Sequence, residues 1–235
     1  MSETRTTRDL GKAEPARGVE PRRPGWLAWA GWAGVAGPIL FTATYVTQEL
    51  LRQGEYSPVK ETVSALEAGP NGWVQQVNFI VFGLLTITFA AGLHQGVRRS
   101  RTGAAGPALV FVSGVGLLLA GAFPLHEDSA GATYDPGGHF VAGTVFFLSS
   151  ALALVVLSPR LARDPRFENL SSYTLVAGVA GLVAFVVMGA FVIPDDAPLH
   201  DWAGLMQRIV ILTVLFPCRV ILAARLIKAL HPNEG

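Results

Sequence analysis

The stretch GHFVAGTVFFLSSALALVVLSPRLARDPR, from Gly138 to Arg166, decides how this chain is to be read. Gly138 to Leu157 is a run of 20 residues without Asp, Glu, Lys or Arg. About 20 mostly apolar residues are what a helix needs to cross roughly 30 Å of hydrocarbon. Arg160, Arg163 and Arg166 follow directly, and clustered arginines mark the cytoplasmic end of a span.

Five further windows meet the same criterion. They run from about Trp26 to Thr47, Gly72 to Leu93, Ala104 to Phe123, Tyr173 to Ile193 and Ala203 to Ile227. The last is the least clean because it holds Arg208 and Arg219. The composition agrees with a membrane protein: 51% of residues are hydrophobic and 15% charged, against roughly 25% charged in soluble domains. The net charge of +1 gives no reason to expect a nucleic-acid partner. Cys218 is the single cysteine, so no intrachain disulfide is possible.

The basic residues alternate from loop to loop. Arg5, Arg8, Lys12, Arg17, Arg22 and Arg23 precede the first window. Arg98, Arg99 and Arg101 lie between the second and third, Arg160, Arg163 and Arg166 between the fourth and fifth, and Arg225 and Lys228 at the end. The intervening loops hold only Arg52 and Lys60. Six helices with both termini cytoplasmic, in the plasma membrane, satisfy this pattern. Residues 1–25 read as a disordered cytoplasmic tail, being polar and lacking a signal-peptide core. Residues 26–230 form the transmembrane domain, and 231–235 a short C-terminal tail. The expected class is all-α, a polytopic bundle.

Acids and most histidines fall on the outer side. Ser57-Pro58 reads as an N-cap and first helical residue, and Gly69 as a stop, which predicts an amphipathic outer helix over about 58–68. Gln75 and Asn78 share one face of the second span. Amides are costly in lipid, so that face points into the bundle, either as helix-to-helix glue or towards a ligand. Asp201 is expected to cap the sixth helix, placing Arg208 roughly 10 Å below its end. A guanidinium there needs a partner or water; Glu61, Glu67, Asp128 and Asp135 are the candidate acids, and a site for an anion or a polar headgroup is the functional alternative. Eleven residues at about 100° each set Arg219 only about 20° from Arg208 on the same face, where it can snorkel to the inner headgroups. His126, His139 and His200 lack the spacing of a helix-borne zinc site, so no metal or other cofactor is expected. Pro38 and Pro217 are expected to kink their helices.

Four stretches resemble a bacterial and archaeal membrane family catalogued as a domain of unknown function, number 998. They are SALEAGPNGWVQQVNF from Ser64 to Phe79, GAFP from Gly121 to Pro124, the GGH ending at His139, and GLMQR from Gly204 to Arg208. With six similarly placed helices, the resemblance extends from Trp26 to Leu230. The family pattern often has a second histidine shortly after the position of His139, where this chain reads FVAGTVFF. The resemblance implies a six-helix fold in the plasma membrane and carries no activity with it.

Three functions remain open. The first is binding or transport of a hydrophobic small molecule with a polar or anionic end, held by candidates Glu61, Ser64, Gln75, Asn78, His139, Gln207 and Arg208. The second is a membrane enzyme acting on a lipid or isoprenoid, in the manner of a terpene cyclase, with Glu61 or Asp128 as a protonated acid kept neutral by burial. The third is an accessory subunit whose polar groups only join helices. Membrane lipids are the expected surroundings in each.

Overall fold

The computed structural model describes residues 25–98 and 103–230. Of the tails assigned to 1–25 and 231–235, residues 1–24 and 231–235 lie outside the described residues, as do Arg99 and Arg101. Helices α1 (Trp26–Leu51), α2 (Gly72–Gly96), α3 (Ala105–Ala122), α4 (His139–Leu161) and α5 (Ser171–Phe191) are followed by a composite sixth span. That span comprises α6 (Ala203–Ile209), a π-helical segment (Val210–Leu215) and α7 (Phe216–Leu230). A two-stranded hairpin, β1 (His126–Glu127) with β2 (Thr133–Tyr134), decorates the α3–α4 loop. Among the described residues, six helical stretches are long and apolar enough to cross a membrane.

Sequential helices are neighbours, and α7 returns to α1 while the π segment meets α5, so the bundle closes on itself. Small residues set the closest approaches. A side-chain carbon on Gly34 would stand 2.5 Å from the Phe89 ring, and one on Gly116 would stand 2.7 Å from the Phe146 backbone nitrogen. In lipid such close packing replaces the hydrophobic drive that water would provide. Valines of α5 such as Val176, Val183 and Val186 are exposed, as expected of a lipid-facing surface.

Pro38 sits inside an unbroken α1. Pro217 has no N–H to offer, and the π segment ends two residues before it; wide turns of this kind let a helix absorb a missing bond.

The outer loop departs from the sequence expectation. Only Val63–Glu67 is helical, as a 3-10 turn, and it is buried. One turn does start at Ser57: its hydroxyl accepts from the Lys60 N–H at 3.4 Å, and its own N–H donates to Glu61 Oε2 at 2.6 Å. The helix stops there because the carbonyls of Val59 and Lys60 are claimed elsewhere, by the N–H groups of Leu205 (3.0 Å) and Gly204 (3.2 Å). They satisfy donors that a helix start leaves without intrahelical partners. Asp201 therefore does not cap α6; it pairs with Lys60 at 3.2 Å on the surface.

The opposite end is tied by arginines. The buried Arg160 of α4 donates to the carbonyls of His94 (2.9 Å), Val97 (2.7 Å), Arg98 (3.1 Å) and Gly103 (3.2 Å). A cation is thus set where α2 ends in unpaired carbonyls. Asp164 accepts from the Arg98 N–H at 2.9 Å and pairs with Arg166 at 2.7 Å, so the α2–α3 and α4–α5 connections are locked together.

Candidate functional site

The acid-rich end of the bundle encloses a cavity of about 280 Å³, walled by all six spans. Most of its wall is phenylalanine and aliphatic: Phe41 from α1, Phe79 and Phe82 from α2, Phe146 and Phe147 from α4, Met188 from α5, Ile211 and Phe216 from the sixth span. The 3-10 turn contributes Val63 and Ser64, and Thr62 just before it lines the cavity as well. His139 and Gln207 add the other polar groups near that end, with Asp135 beside them.

His139 begins α4 because Asp135 prepares the helix start. The Asp135 carboxylate accepts from the N–H groups of Gly137 (2.8 Å), His139 (3.3 Å) and Phe140 (2.8 Å). Burial opposes its ionisation, but these N–H groups outweigh it and hold the carboxyl below its ordinary value. The two preceding glycines, Gly137 and Gly138, have φ of 128° and 109°, a region that side chains rarely adopt.

The His139 ring is then fixed from one side. Its Nδ1 lies 3.0 Å from Glu67 Oε2 and 3.1 Å from the Phe123 carbonyl. Both neighbours are acceptors, which assigns the proton to Nδ1. Nε2 is left as the nitrogen available to the cavity. The Glu67 side chain has no exposed surface. Oε2 also accepts from the Leu125 N–H at 3.2 Å, while Oε1 has no partner. Burial pushes this carboxyl up, against the opposing pull of His139 and the Leu125 N–H.

Arg208 stands apart from the cavity. Nε and Nη2 contact Glu49 Oε1 at 3.0 and 2.5 Å, and Nη2 also donates to the Tyr56 hydroxyl at 2.6 Å. Nη1 donates to the carbonyls of Glu61 (3.0 Å) and Gly204 (2.8 Å). All five guanidinium donors are used by protein, and the Tyr45 and Tyr56 rings lie 5.8 and 5.7 Å away. Of the four acids considered from sequence, Glu61 contributes a backbone carbonyl and the others nothing. The ion-pair partner is Glu49. Burial pushes the Tyr56 phenol up despite the adjacent guanidinium.

The remaining candidates divide. Ser64, His139 and Gln207 face the cavity, although Gln207 Oε1 also accepts from the Val63 N–H at 2.7 Å. Gln75 and Asn78 join helices: Gln75 Oε1 accepts from Gln48 (2.9 Å) and Asn78 (3.2 Å), and Asn78 donates to the Phe41 carbonyl at 3.0 Å. Glu61 holds Ser57. Asp128 is exposed and shapes the hairpin by accepting from Ala130 and Ala132. The His126 ring lies tilted 6.0 Å from that of Tyr134, and no three His, Cys, Asp or Glu side chains converge on a metal position among the described residues. Arg219 turns inward over two phenylalanines rather than snorkelling.

Sequence reading missed Glu49, Tyr56 and the role of Glu67. Acids are common on that side, and only chain folding selects which one meets a given cation. The quoted motifs, however, meet in space. Glu67 of the first, Phe123 of the second and His139 of the third form one cluster, and GLMQR grips the loop carrying the first. Gly204 is glycine because a side chain there would strike the Pro58 and Glu61 carbonyls.

No curated protein and no solved structure matches the chain. A family model covers residues 35–224, which include every span in whole or in large part, and on that match the chain belongs to the family described as "Protein of unknown function (DUF998)".

Proposed function

We propose that the protein binds or moves a hydrophobic small molecule with a polar end, drawn from the surrounding bilayer. The observation that carries this reading is the cavity: about 280 Å³ of largely apolar wall with one oriented imidazole. Ligand sites are typically apolar pockets with a few placed polar groups. His139, Ser64 and Gln207 take the polar end, and the phenylalanines take the body.

The path in lies between α4 and α5. At the arginine-rich end these helices touch, since a side-chain carbon on Gly178 would stand 2.7 Å from the Val155 nitrogen. At the cavity, carbons on Gly143 of α4 and Gly189 of α5 would meet nothing within 4 Å. Gly189 is also exposed, which favours entry from the lipid. The arginine-rich end faces the cytoplasm of a plasma-membrane protein, by the excess of arginine there, so the cavity faces outward.

Gly143→Leu tests the reading by filling the cavity. Lipid extracts of purified wild-type protein should contain a bound isoprenoid or lipid, identified by mass spectrometry, and the variant should lose it without losing thermal stability. Equal recovery from both, or an empty wild type that also fails to bind farnesol, sinks the proposal.

The Glu67–His139 pair favours a second reading, an acid–base enzyme acting on the same ligand class. Nε2 of His139 would exchange the proton, and Glu67 would position the ring. Of Glu61, Asp128 and Glu67, only Glu67 is buried, and burial holds its carboxyl above its ordinary value. Conversion of a bound lipid that stops in His139→Gln while binding persists would select this reading over transport.

A further inference from the structure

Below the large cavity lies a second, smaller one of about 40 Å³, and Arg219 is in its wall. Arg219 sits four residues beyond the midpoint of the sixth span, His200–Leu230, about 6 Å along the helix from it. Nε and Nη2 are buried without a hydrogen-bond partner, and among the described residues no acid pairs with the guanidinium. Arg208, by contrast, has a protein partner for all five of its donors.

The ring faces of Phe82 and Phe89 lie 4.9 and 5.4 Å from the Arg219 guanidinium carbon. They solvate a cation partly but accept no conventional hydrogen bond. Gly37 and Gly34 of α1 leave room for those two rings, so the cage is built by packing. The cavity wall is otherwise apolar apart from Ser113 and Ser150, and the Ser113 hydroxyl already donates to the Val110 carbonyl at 2.7 Å. A volume of this size holds a few waters. Water, with so few polar neighbours, would leave the charge without a counter-ion.

We infer that Arg219 and the cavity beside it form a site for one compact monovalent anion, a halide ion or a carboxylate group, near the middle of the membrane. A singly charged anion balances the guanidinium, and among the described residues the two serines are the other polar groups lining the cavity. The small cavity shares Phe146 and Phe216 with the large one. A carboxylate could therefore be the end of an amphiphile whose body fills the upper cavity, and in that form alone the inference rests on the hydrophobic-ligand reading. A free anion needs only the lower cavity.

The test uses the full chain in detergent, with bromide replacing a bulky sulfonate at constant ionic strength, and separately with dodecanoate against dodecanol. The unfolding temperature of wild type should rise with the logarithm of anion concentration above Kd, by about 3–6 °C at tenfold excess over Kd. Arg219→Met should not respond, and in anion-free buffer it should unfold at a higher temperature than wild type, because an unpaired buried charge has been removed. A response to bromide assigns a free anion. A response to dodecanoate, with none to bromide or dodecanol, assigns the end of an amphiphile. Equal shifts in wild type and variant, or none in wild type, overturn the site. Dodecanol acting as well as dodecanoate, with bromide inert, also overturns it while leaving the upper cavity reading standing. Should Arg219→Met not fold, wild-type crystals soaked with bromide and, separately, with dodecanoate decide: an anomalous bromide peak or a carboxylate beside Arg219 supports the site, and the absence of both at saturating concentration refutes it.

Discussion

The Arg208 guanidinium of α6 closes on the Glu49 carboxylate of α1 at 2.5 Å, across 159 residues of chain. Around that contact the Tyr56 hydroxyl and the Glu61 and Gly204 carbonyls take the remaining donors. The pair fastens the first span, the outer loop and the last span to one another. It closes the ring of helices at the end where the cavity lies.

Removing the cation should be expensive. Arg208→Ala leaves Glu49, whose side chain is only 13% exposed, without its partner, and a loss of about 3 kcal/mol, the low end for a buried pair, is expected. Arg208→Lys should not restore it, since an ammonium has three donors against five. Thermal unfolding in detergent checks both; an Arg208→Ala protein as stable as wild type would remove the clamp from the account.

The Asp164 knot gives a different signature. Burial would raise this carboxyl, but the Arg166 guanidinium and the Arg98 N–H outweigh it and hold Asp164 below 3.8. A depressed carboxyl contributes stability that is present above the unfolded value and lost as pH falls through the folded one. Wild type should thus lose an extra increment below about pH 4. Asp164→Asn should lack that acid step and be less stable by about 1–3 kcal/mol at neutral pH. Identical acid profiles for the two proteins would contradict this.

Glu67 should show the opposite sign. Burial raises its carboxyl above 4.5, so ionising it costs stability, a cost absent at lower pH that sets in as pH rises through the raised value. Glu67→Gln removes the cost and keeps an oxygen for His139. The unfolding temperature of the variant relative to wild type should therefore climb from acid to neutral pH. A difference independent of pH would mean that the carboxyl does not titrate there.

Orientation can be read by labelling. Cys218 is buried, so the background is low. In whole cells a membrane-impermeant maleimide should modify Asp196→Cys, in the α5–α6 loop, and leave Arg163→Cys, in the α4–α5 loop, untouched. The reverse pattern would put the arginine-rich end outside.

Much of the bundle is legible because a span must be apolar for its whole length, and that requirement is local. The fourth window was expected at Gly138–Leu157 and α4 runs from His139 to Leu161; the fifth was expected at Tyr173–Ile193 and α5 runs from Ser171 to Phe191. The outer loop was less legible. Ser57-Pro58 does start a turn, but whether it continues depends on carbonyls that α6 claims from more than 140 residues away.

Hydropathy along the chain determined the number of spans, and it singled out the costly polar residues within them, Arg208 and Arg219 among them. Tertiary structure alone decided their fates: Glu49 reaches the first cation, while Phe82 and Phe89 face the second and no acid among the described residues does. The physical reason is that the price of a charge in lipid belongs to the residue itself, whereas its partner is chosen by which helix comes to lie beside it.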